Sequence, residues 1–339
     1  MRSYSKLVFQ REREEDTMSE KEKERVCVTG AGGFQATWVV KLLLSKGYIV
    51  HGTVRDTSDD KNAHLKSLEN ASENLKLFKA DLLDYESLCA AFEGCTGVFH
   101  VASPVPFGTV TNPEVELIQP AVMGTLNVLR ACSEAKIKRV VVVSSIVAML
   151  FNPNWPEDQL MDESSWSDKE QCKKIENWYS LAKTEAESQA FEYAKRSGLD
   201  MVTVCPAIIF GPMLQPNVNA TSLYIPEIMK GGIDPVTDAS FPNVDVRDVA
   251  EALLLVYTKP ETEGRYICLA HTTTRQELAV KLKSIYPNYK YPEKYTLADT
   301  KYTLTSEKLQ KLGWKFRSLE ETLVDSVECY QEKRVLDKM

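Results

Sequence analysis

A tyrosine and a lysine that could transfer a proton lie four residues apart in the segment 177–183. If this segment is helical, Tyr179 and Lys183 share one face of the helix. A free tyrosine has a pKa of about 10, which is too high for efficient proton transfer at neutral pH. A neighbouring ammonium lowers that pKa because it favours the phenolate. Tyr179 is therefore the predicted general acid, and Lys183 is the group that tunes its pKa.

Ser145 follows an apolar run at 139–144 that predicts a buried strand. Ligands bind at the carboxyl edge of open α/β sheets, and a hydroxyl there could hold a substrate carbonyl oxygen. A tyrosine and a lysine four residues apart are common by chance, and helix packing alone explains an isolated pair. A glycine turn near residue 30, the strand-ending Ser145 and the pair on the next long helix together favour a catalytic trio of Ser145, Tyr179 and Lys183.

The glycine turn lies within residues 26–36, which read as a strand, a turn and the start of a helix. Gly30 allows the tight turn, Gly33 lets the backbone approach a pyrophosphate, and the small Ala36 lets the helix pack close to the strand. The helix N-terminus offers free N–H groups to phosphate. A glycine-rich turn without a ligand is the alternative. The predicted dinucleotide-binding residues of this segment are Gly30, Ala31, Gly32, Gly33, Phe34, Gln35 and Ala36.

The end of the second predicted strand indicates which dinucleotide binds. An acidic residue directly after this strand would bind the ribose 2′-hydroxyl of NAD, whereas Arg55, with Lys61 nearby, suits the 2′-phosphate of NADP. Asp56 follows Arg55 and keeps NAD open as an alternative. The predicted cofactor is NADP.

The elements that must position these residues follow from the alternation of apolar strand runs and helical patterns. The predicted strands are 25–29, 48–54, 75–79, 97–101, 139–144 and 200–205, and the predicted helices between them are 33–45, 85–92, 113–135 and 175–196. This alternation predicts an α/β fold, a Rossmann-like doubly wound parallel sheet with a smaller C-terminal substrate lobe.

After residue 205 the sequence pattern changes, and prolines and glycines become frequent. Prolines and glycines punctuate 211–242, which predicts loops over a binding cleft. A helix at 246–259, a strand at 264–270 and helices at 274–285 and 318–333 are predicted beyond it. The predicted organisation is a disordered charged leader at 1–24, an NADP-binding Rossmann domain at 25–205, and a mainly substrate-binding lobe at 206–339 with some chain returning to the core.

The composition of the chain limits the kinds of partner that it is expected to bind. The net charge is −7 and the pI is about 5.4, so a nucleic-acid partner is not expected. No apolar run is as long as a membrane span, and the charged leader lacks the apolar core of a signal peptide. Eight cysteines without a Cys-x-x-Cys pair indicate a reducing compartment, most simply the cytoplasm. Four histidines without zinc-site spacing predict no metal, and nothing requires more than a monomer.

Beyond the leader, the chain from about Val26 to the C-terminal helix resembles the extended, plant-type short-chain dehydrogenase/reductases. Within them it is similar to the cinnamoyl-CoA reductases and their relatives, the dihydroflavonol reductases and the short-chain cinnamyl alcohol dehydrogenases. The segments that carry the resemblance are 28–34, 54–56, 61–65, 81–82, 99–104, 144–145, 162–168, 177–179, 206–212 and 245–250.

The resemblance implies further contacts with the cofactor. Asp81 and Leu82 would contact the adenine, and Lys183 would also bind the nicotinamide ribose. The remaining residues that it places along the dinucleotide are Val101, Ala102, Ser103, Tyr179, Pro206, Ala207, Ile208, Ile209 and Thr221. A small aromatic substrate would contact Phe107, Ile146, Met213 and Tyr224, although each of these four could equally be simple packing.

The resemblance implies an NADPH-dependent reductase of a phenylpropanoid carbonyl, in phenylpropanoid metabolism and lignin biosynthesis. The substrate would be a hydroxycinnamoyl-CoA thioester, reduced to the aldehyde, or a cinnamaldehyde, reduced to the alcohol. Cinnamoyl-CoA reductases usually carry Cys-Tyr where this chain has Ser180 and Leu181, and His and Lys where it has Tyr224 and Glu227. Because Glu227 would repel CoA phosphates, these departures count against the thioester.

Two other functions stay open. One is reduction of a dihydroflavonol-type ketone. The other is a non-catalytic NADP-sensing or scaffold protein, against which the intact trio argues because a sensor needs the cofactor but not the trio. His100, flanked by apolar residues, is predicted to be a packed core histidine.

Overall fold

The computed structural model describes residues 23–105, 110–156, 158–232, 236–297 and 303–339. Its strands are β1 Arg25–Val28, β2 Ile49–Val54, β3 Leu75–Lys79, β4 Gly97–His100, β5 Arg139–Val143, β6 Met201–Pro206, β7 Ile208–Phe210, β8 Val236–Asp238, β9 Ser240–Asp245, β10 Gly264–Cys268, β11 His271–Thr274 and β12 Tyr295–Leu297. Its α-helices are α1 Phe34–Ser45, α2 Ala63–Lys66, α3 Ala71–Asn74, α4 Tyr85–Phe92, α5 Gln119–Glu134, α6 Val147–Leu150, α7 Lys169–Lys174, α8 Trp178–Ser197, α9 Tyr224–Met229, α10 Val246–Thr258, α11 Arg275–Ile285, α12 Glu307–Lys311 and α13 Leu319–Glu332.

Seven of the strands form one parallel sheet in the order β3-β2-β1-β4-β5-β6-β10. The strand order reverses between β1 and β4, so the crevice at their carboxyl ends is the expected ligand site. Its inner strand β5 is apolar from Val140 to Val143 and buried throughout, as expected of a parallel strand covered on both faces. Helices α1 and α10 cover one face, and α4, α5 and α8 cover the other. The doubly wound α/β fold predicted from the sequence is confirmed.

The structure corrects the expectation of loops over 211–242. This stretch contains the short 3₁₀ segment Thr221–Leu223, helix α9, strand β8 and the start of β9. Strand β9 pairs with β7 in parallel and with β11 in antiparallel orientation. These pairings join segments that are far apart in the chain, so the local pattern of prolines and glycines does not predict them.

Two predicted elements are divided in the structure. The helix expected at 113–135 begins as the π-helical segment Glu114–Ile118, and α5 follows with Pro120 in its first turn. Proline lacks an N–H group, so the regular hydrogen-bond ladder cannot run through it. The strand expected at 264–270 ends at Cys268, because β10 pairs with β6 whereas β11 joins the smaller sheet.

The C-terminal part of the chain has its own apolar cluster around Phe210, Met213, Ile225 and Tyr330, into which Phe34 of α1 also packs. Strand β10 returns to the edge of the main sheet. The leader at 1–24 lies outside the described residues except for its last two, and the predicted domain boundaries stay predictions. Among the helices of the described part of the chain, none combines the length and apolar character needed to cross a lipid bilayer.

Candidate active site

The glycine turn after β1 is held closely against its neighbours. Gly30 has φ +65°, and a Cβ atom there would lie 2.9 Å from the Cβ of Ala102. The Gly30 N–H donates to the Thr53 hydroxyl at 3.0 Å, and the Ala31 N–H donates to the Thr53 carbonyl at 2.8 Å. Both the left-handed backbone and the close approach require glycine at position 30.

Asn62 covers the turn from the other side. It is buried, and a Cβ on Gly32 would come within 2.3 Å of its Oδ1. Its amide donates to the Asp56 carbonyl at 2.8 Å, which fixes the segment after β2 over the glycine turn. Sequence reasoning missed Asn62, although its position directly after Lys61 marked it as part of the same segment.

A cavity of about 710 Å³ opens between the turn, the end of β2 and the segment after β4. Its size lies within the usual range for a small-molecule or cofactor site. Eleven of the predicted cofactor residues line it: Gly30, Gly32, Gly33, Ala36, Arg55, Lys61, Asp81, Leu82, Val101, Ala102 and Ser103. It is also lined by residues that were not predicted: Thr53, Val54, Asn62, Ala80, Leu83, Leu88, Pro104, Val105 and Pro120.

The cavity suits the phosphate groups of a nicotinamide dinucleotide. The glycine turn leaves backbone free to approach a pyrophosphate, and the cations Arg55 and Lys61 lie at the mouth formed by the end of β2. Lys61 is already paired with Asp59 at 2.5 Å, while Arg55 is exposed. Near the start of α1, the Gln35 Nε2 is buried without a hydrogen-bond partner among the described residues, so a donor remains for a ligand.

The remaining predicted cofactor residues, including Gln35 on α1, lie outside the cavity lining. Ala31 and Phe34 are buried, and Phe34 packs into the C-terminal cluster. Thr221 accepts a hydrogen bond from the Asn219 amide at 2.8 Å. The others lie at the carboxyl end of β6, in the short strand β7, or on α8: Pro206, Ala207, Ile208, Ile209, Tyr179 and Lys183.

His100, at the end of β4, has a structural role. The Thr29 hydroxyl accepts from the N–H groups of Val101 and Ala102 and lies 3.0 Å from His100 Nδ1. Its one hydrogen therefore goes to Nδ1, which leaves the ring proton on Nε2 facing Thr125 at 3.3 Å. Burial lowers the pKa of His100 to about 3, with a smaller effect from Lys183. This neutral ring fixes the strand end beside the glycine turn.

The structure brings the predicted trio together. Helix α8 starts one residue before Tyr179, because the Asn177 side chain caps it by accepting the Ser180 N–H at 3.1 Å. The Tyr179 hydroxyl is hydrogen-bonded to the Ser145 side chain. Ser145 is the second residue after the end of β5. Lys183 Nζ donates to the Val143 carbonyl at 3.3 Å.

Burial shifts the pKa values of two trio members in the direction of the neutral form. It raises the pKa of Tyr179 to about 12, and the hydrogen bond with Ser145 opposes this rise. It lowers the pKa of Lys183 to about 8, and the charge of Glu187 opposes this fall. Sequence reasoning missed Glu187, although it lies one helical turn after Lys183 on the same face of α8.

The predicted substrate residues are not gathered in one cavity among the described residues. Ile146 is buried beside β5, with its N–H donating to the Pro206 carbonyl at 3.1 Å. Met213 is buried in the C-terminal cluster, where Tyr224 meets Phe241 edge to face at 5.1 Å. Phe107 lies outside the described residues. The role of all four residues as substrate contacts stays a prediction.

Known proteins share the sequence family and the fold of this chain. Residues 26–268 match the NAD dependent epimerase/dehydratase family. The chain is 45% identical to cinnamoyl-CoA reductase 2 of Medicago truncatula, over 91% of this chain and 92% of that one. Vestitone reductase from alfalfa (Medicago sativa) has a structure similar with a TM-score of 0.80 at 32% identity, covering 93% of this chain and all of that one. Yeast methylglyoxal/isovaleraldehyde reductase Gre2, solved with NADPH, has a similar structure with a TM-score of 0.80 at 27% identity. The match covers 92% of this chain and 99% of that one.

The chain belongs to the NAD dependent epimerase/dehydratase family, as a member of its extended short-chain dehydrogenase/reductase branch. It is an oxidoreductase that uses a nicotinamide dinucleotide. The family and the enzyme class predicted from the sequence are therefore confirmed.

Proposed function

We propose that this enzyme uses NADPH to reduce a phenylpropanoid carbonyl, either a hydroxycinnamoyl-CoA thioester or the corresponding cinnamaldehyde. The observation that carries the proposal is the hydrogen bond between Tyr179 and Ser145, with Lys183 one helical turn away, at the carboxyl edge of the sheet. A binding module has no use for a half-buried tyrosine hydrogen-bonded to a serine in this position. The non-catalytic alternative is therefore disfavoured.

Each side chain has one role in the proposed reaction. When bound, NADPH supplies a hydride to the carbonyl carbon. The Ser145 hydroxyl donates a hydrogen bond to the carbonyl oxygen, and Tyr179 gives that oxygen its proton. The Lys183 ammonium stabilises the phenolate that Tyr179 becomes and anchors the nicotinamide ribose. An aldehyde substrate yields an alcohol, whereas a thioester releases its thiol and yields an aldehyde.

NADP as cofactor is supported by the cavity and by a relative. The Gre2 reductase that shares this fold was solved with NADPH. In this chain the glycine turn would hold the pyrophosphate, and Arg55 with Lys61 would hold the 2′-phosphate. Asp56 after Arg55 does not oppose this assignment, because its carboxylate accepts from the Ser58 hydroxyl and N–H within its own turn.

The substrate class is supported by the similarity to a cinnamoyl-CoA reductase. Within that class Glu227, which is exposed on α9, and the pair Ser180 and Leu181 favour an aldehyde over a CoA thioester. A ketone substrate is the second candidate, since the structure is also similar to vestitone reductase. A cytoplasmic location is supported by the eight cysteines, all of which are free thiols.

A substrate panel tests the proposal. We expect kcat/KM for coniferaldehyde to equal or exceed that for feruloyl-CoA, and both to exceed that for a dihydroflavonol. A strong preference for feruloyl-CoA would show that the departures at Ser180, Leu181 and Glu227 do not weaken thioester binding. Preference for the dihydroflavonol would support the ketone reductase instead.

Tyr179→Phe tests the proton donor. The phenyl ring keeps its packing and loses only the hydroxyl, so the fold and the Kd for NADPH should be retained. Loss of general acid catalysis should lower kcat by about 10²–10⁴-fold. If the folded, NADPH-binding variant turns over within a few-fold of the wild type, Tyr179 is not the proton donor and the proposed mechanism fails.

A further inference from the structure

A buried carboxylate stands behind the catalytic trio. Glu187 lies on α8 one turn beyond Lys183 and is 2% exposed. Its Oε2 accepts from the Ser144 hydroxyl at 2.8 Å, and its Oε1 accepts from the Thr203 hydroxyl at 2.6 Å. Arg265 of β10 donates to both oxygens, at 3.1 Å from Nε and 2.9 Å from Nη2. The carboxylate thus joins α8 to three neighbouring strands of the main sheet, β5, β6 and β10.

Arg265 is itself fixed in place. Its Nη1 donates to the carbonyls of Ser165 at 2.5 Å and Glu163 at 3.3 Å, and its guanidinium lies 3.7 Å from the centre of the Trp166 ring. Both side chains of the ion pair are nearly inaccessible to solvent. A buried ion pair is often no more stabilising than apolar residues of the same volume, so stability alone does not account for it.

The network ends at the catalytic residues. The strand end that carries Ser145 is held to α8 at two successive positions, through the Val143 carbonyl to Lys183 and through the Ser144 hydroxyl to Glu187. We infer that Glu187 is a positioning residue for the reaction, which holds Ser145 in register with Tyr179 and faces Lys183 with a negative charge, and that Arg265 is its counter-ion.

The charges around Lys183 support this role. Burial lowers the pKa of Lys183 to about 8, and Glu187 is the main group that opposes the fall. The Cys205 thiol on β6 is neutral because burial raises its pKa, and His100 on β4 is neutral because burial lowers its pKa to about 3. Arg265 approaches Glu187 from β10. The charged form of Lys183 therefore depends on Glu187.

The test is a pH profile, and it rests on the proposed function because it assumes that charged Lys183 assists Tyr179. In the wild type, kcat should fall as the pH rises through the pKa of Lys183. In Glu187→Gln this fall should begin at least about one pH unit lower, as expected when an opposite charge a few ångströms away is removed. At pH 9 kcat should then be about tenfold lower than in the wild type. At pH 6 Lys183 is charged in both proteins, and the amide oxygen of the variant can still accept from the Ser144 hydroxyl, so kcat and the Kd for NADPH should agree within about threefold.

A double variant guards against misfolding, since Glu187→Gln leaves Arg265 without its counter-ion. Glu187→Gln combined with Arg265→Met removes both charges at similar volume and should fold. It should show the same displaced alkaline limb. The matched control is Asp248→Asn, which also removes a buried carboxylate from an arginine, Arg317, but lies on α10. This control should lose stability and keep the alkaline limb of the wild type.

Ser144→Ala tests positioning without any change of charge. It removes one hydroxyl, so the fold should persist, and kcat should fall about fivefold at every pH because Ser145 is less well held. The inference is overturned if the Glu187 variants keep the wild-type pH profile and Ser144→Ala keeps kcat within twofold. In that case Tyr179→Phe shows whether the proposed function has failed as well. If Tyr179→Phe retains wild-type turnover, the proposed function has failed. If Tyr179→Phe is inactive, only the inference about Glu187 has failed.

Discussion

Arg55 and Lys61 contribute differently to cofactor choice. Both line the cavity, but Lys61 is already held by Asp59, whereas the Arg55 side chain extends into solvent. An arginine can also bind a phosphate through two parallel hydrogen bonds, which a lysine cannot. We therefore expect Arg55 to provide the larger part of the preference for NADPH over NADH.

Arg55→Ala should raise the Kd for NADPH about tenfold or more and leave the Kd for NADH nearly unchanged, since only NADPH carries the 2′-phosphate. Fluorescence titration with both cofactors gives these constants. Lys66→Ala is the matched control, because it removes an exposed cation of α2 that does not line the cavity, and it should change neither Kd. Equal dissociation constants of the wild type for NADPH and NADH would refute the assignment of NADP to this site.

At the scale of elements, the site depends on where strands end and helices begin. The glycine turn joins β1 to α1, and its close contact with Ala102 brings the segment after β4 against it. Helix α8 begins at the Asn177 cap, and its side chains Lys183 and Glu187 bind the Val143 carbonyl and the Ser144 hydroxyl at the end of β5. The cofactor cavity and the trio are therefore positioned by the ends of neighbouring parallel strands.

Gly30→Ala tests the close packing of the turn. The new methyl group would lie 2.9 Å from Ala102, so the turn must shift and the Kd for NADPH should rise at least about tenfold. Gly47→Ala is the control, because Gly47 also has positive φ (+84°) but has no atom within 4 Å of the new methyl group. It should cost about 1 kcal/mol of stability through backbone strain and leave the Kd unchanged. Similar dissociation constants for both variants would mean that the contact with Ala102 is not needed for binding.

At the scale of the whole molecule, the active site is maintained at a cost in stability. The apolar surroundings of Lys183 lower its pKa from 10.5 to about 8, so the folded protein holds this proton less tightly than the unfolded chain. Between about pH 8 and 10.5 the unfolded state binds more protons, and the free energy of unfolding therefore rises with pH in this window. Below pH 8 the full penalty is present.

Lys183→Met should consequently stabilise the enzyme and inactivate it. At pH 7 the free energy of unfolding should increase by up to about 3 kcal/mol, the equivalent of a shift of roughly 2.5 pH units. Above about pH 10.5, where the lysine is neutral in both states, the advantage should vanish. Urea unfolding of the two proteins at pH 7 and pH 10.5 measures both differences. A variant that is less stable than the wild type at pH 7 would show that the contacts of Lys183 outweigh its desolvation.

The sequence by itself determined the features that are local along the chain. The alternation of strands and helices, the glycine turn at 30–33 and the pairing of Tyr179 with Lys183 each depend on neighbouring residues and on the period of a helix or strand. The position of Ser145 just after β5 was equally visible, because the apolar run 140–143 marks a buried parallel strand. From these features the fold class, the cofactor class and the proposed trio all follow.

The tertiary structure decided what depends on residues far apart in the chain. Asn62 meets Gly32 because the segments after β1 and β2 lie at the same edge of the sheet. Arg265 meets Glu187 across 78 positions because β10 pairs with β6, beside the helix that carries Glu187. Strand β9 begins within a stretch whose prolines and glycines predicted loops, and it forms the smaller sheet with β7 and β11, which lie on either side of that stretch in the chain. Burial and long-range pairing stabilise these contacts, and neither leaves a periodic pattern in the local sequence.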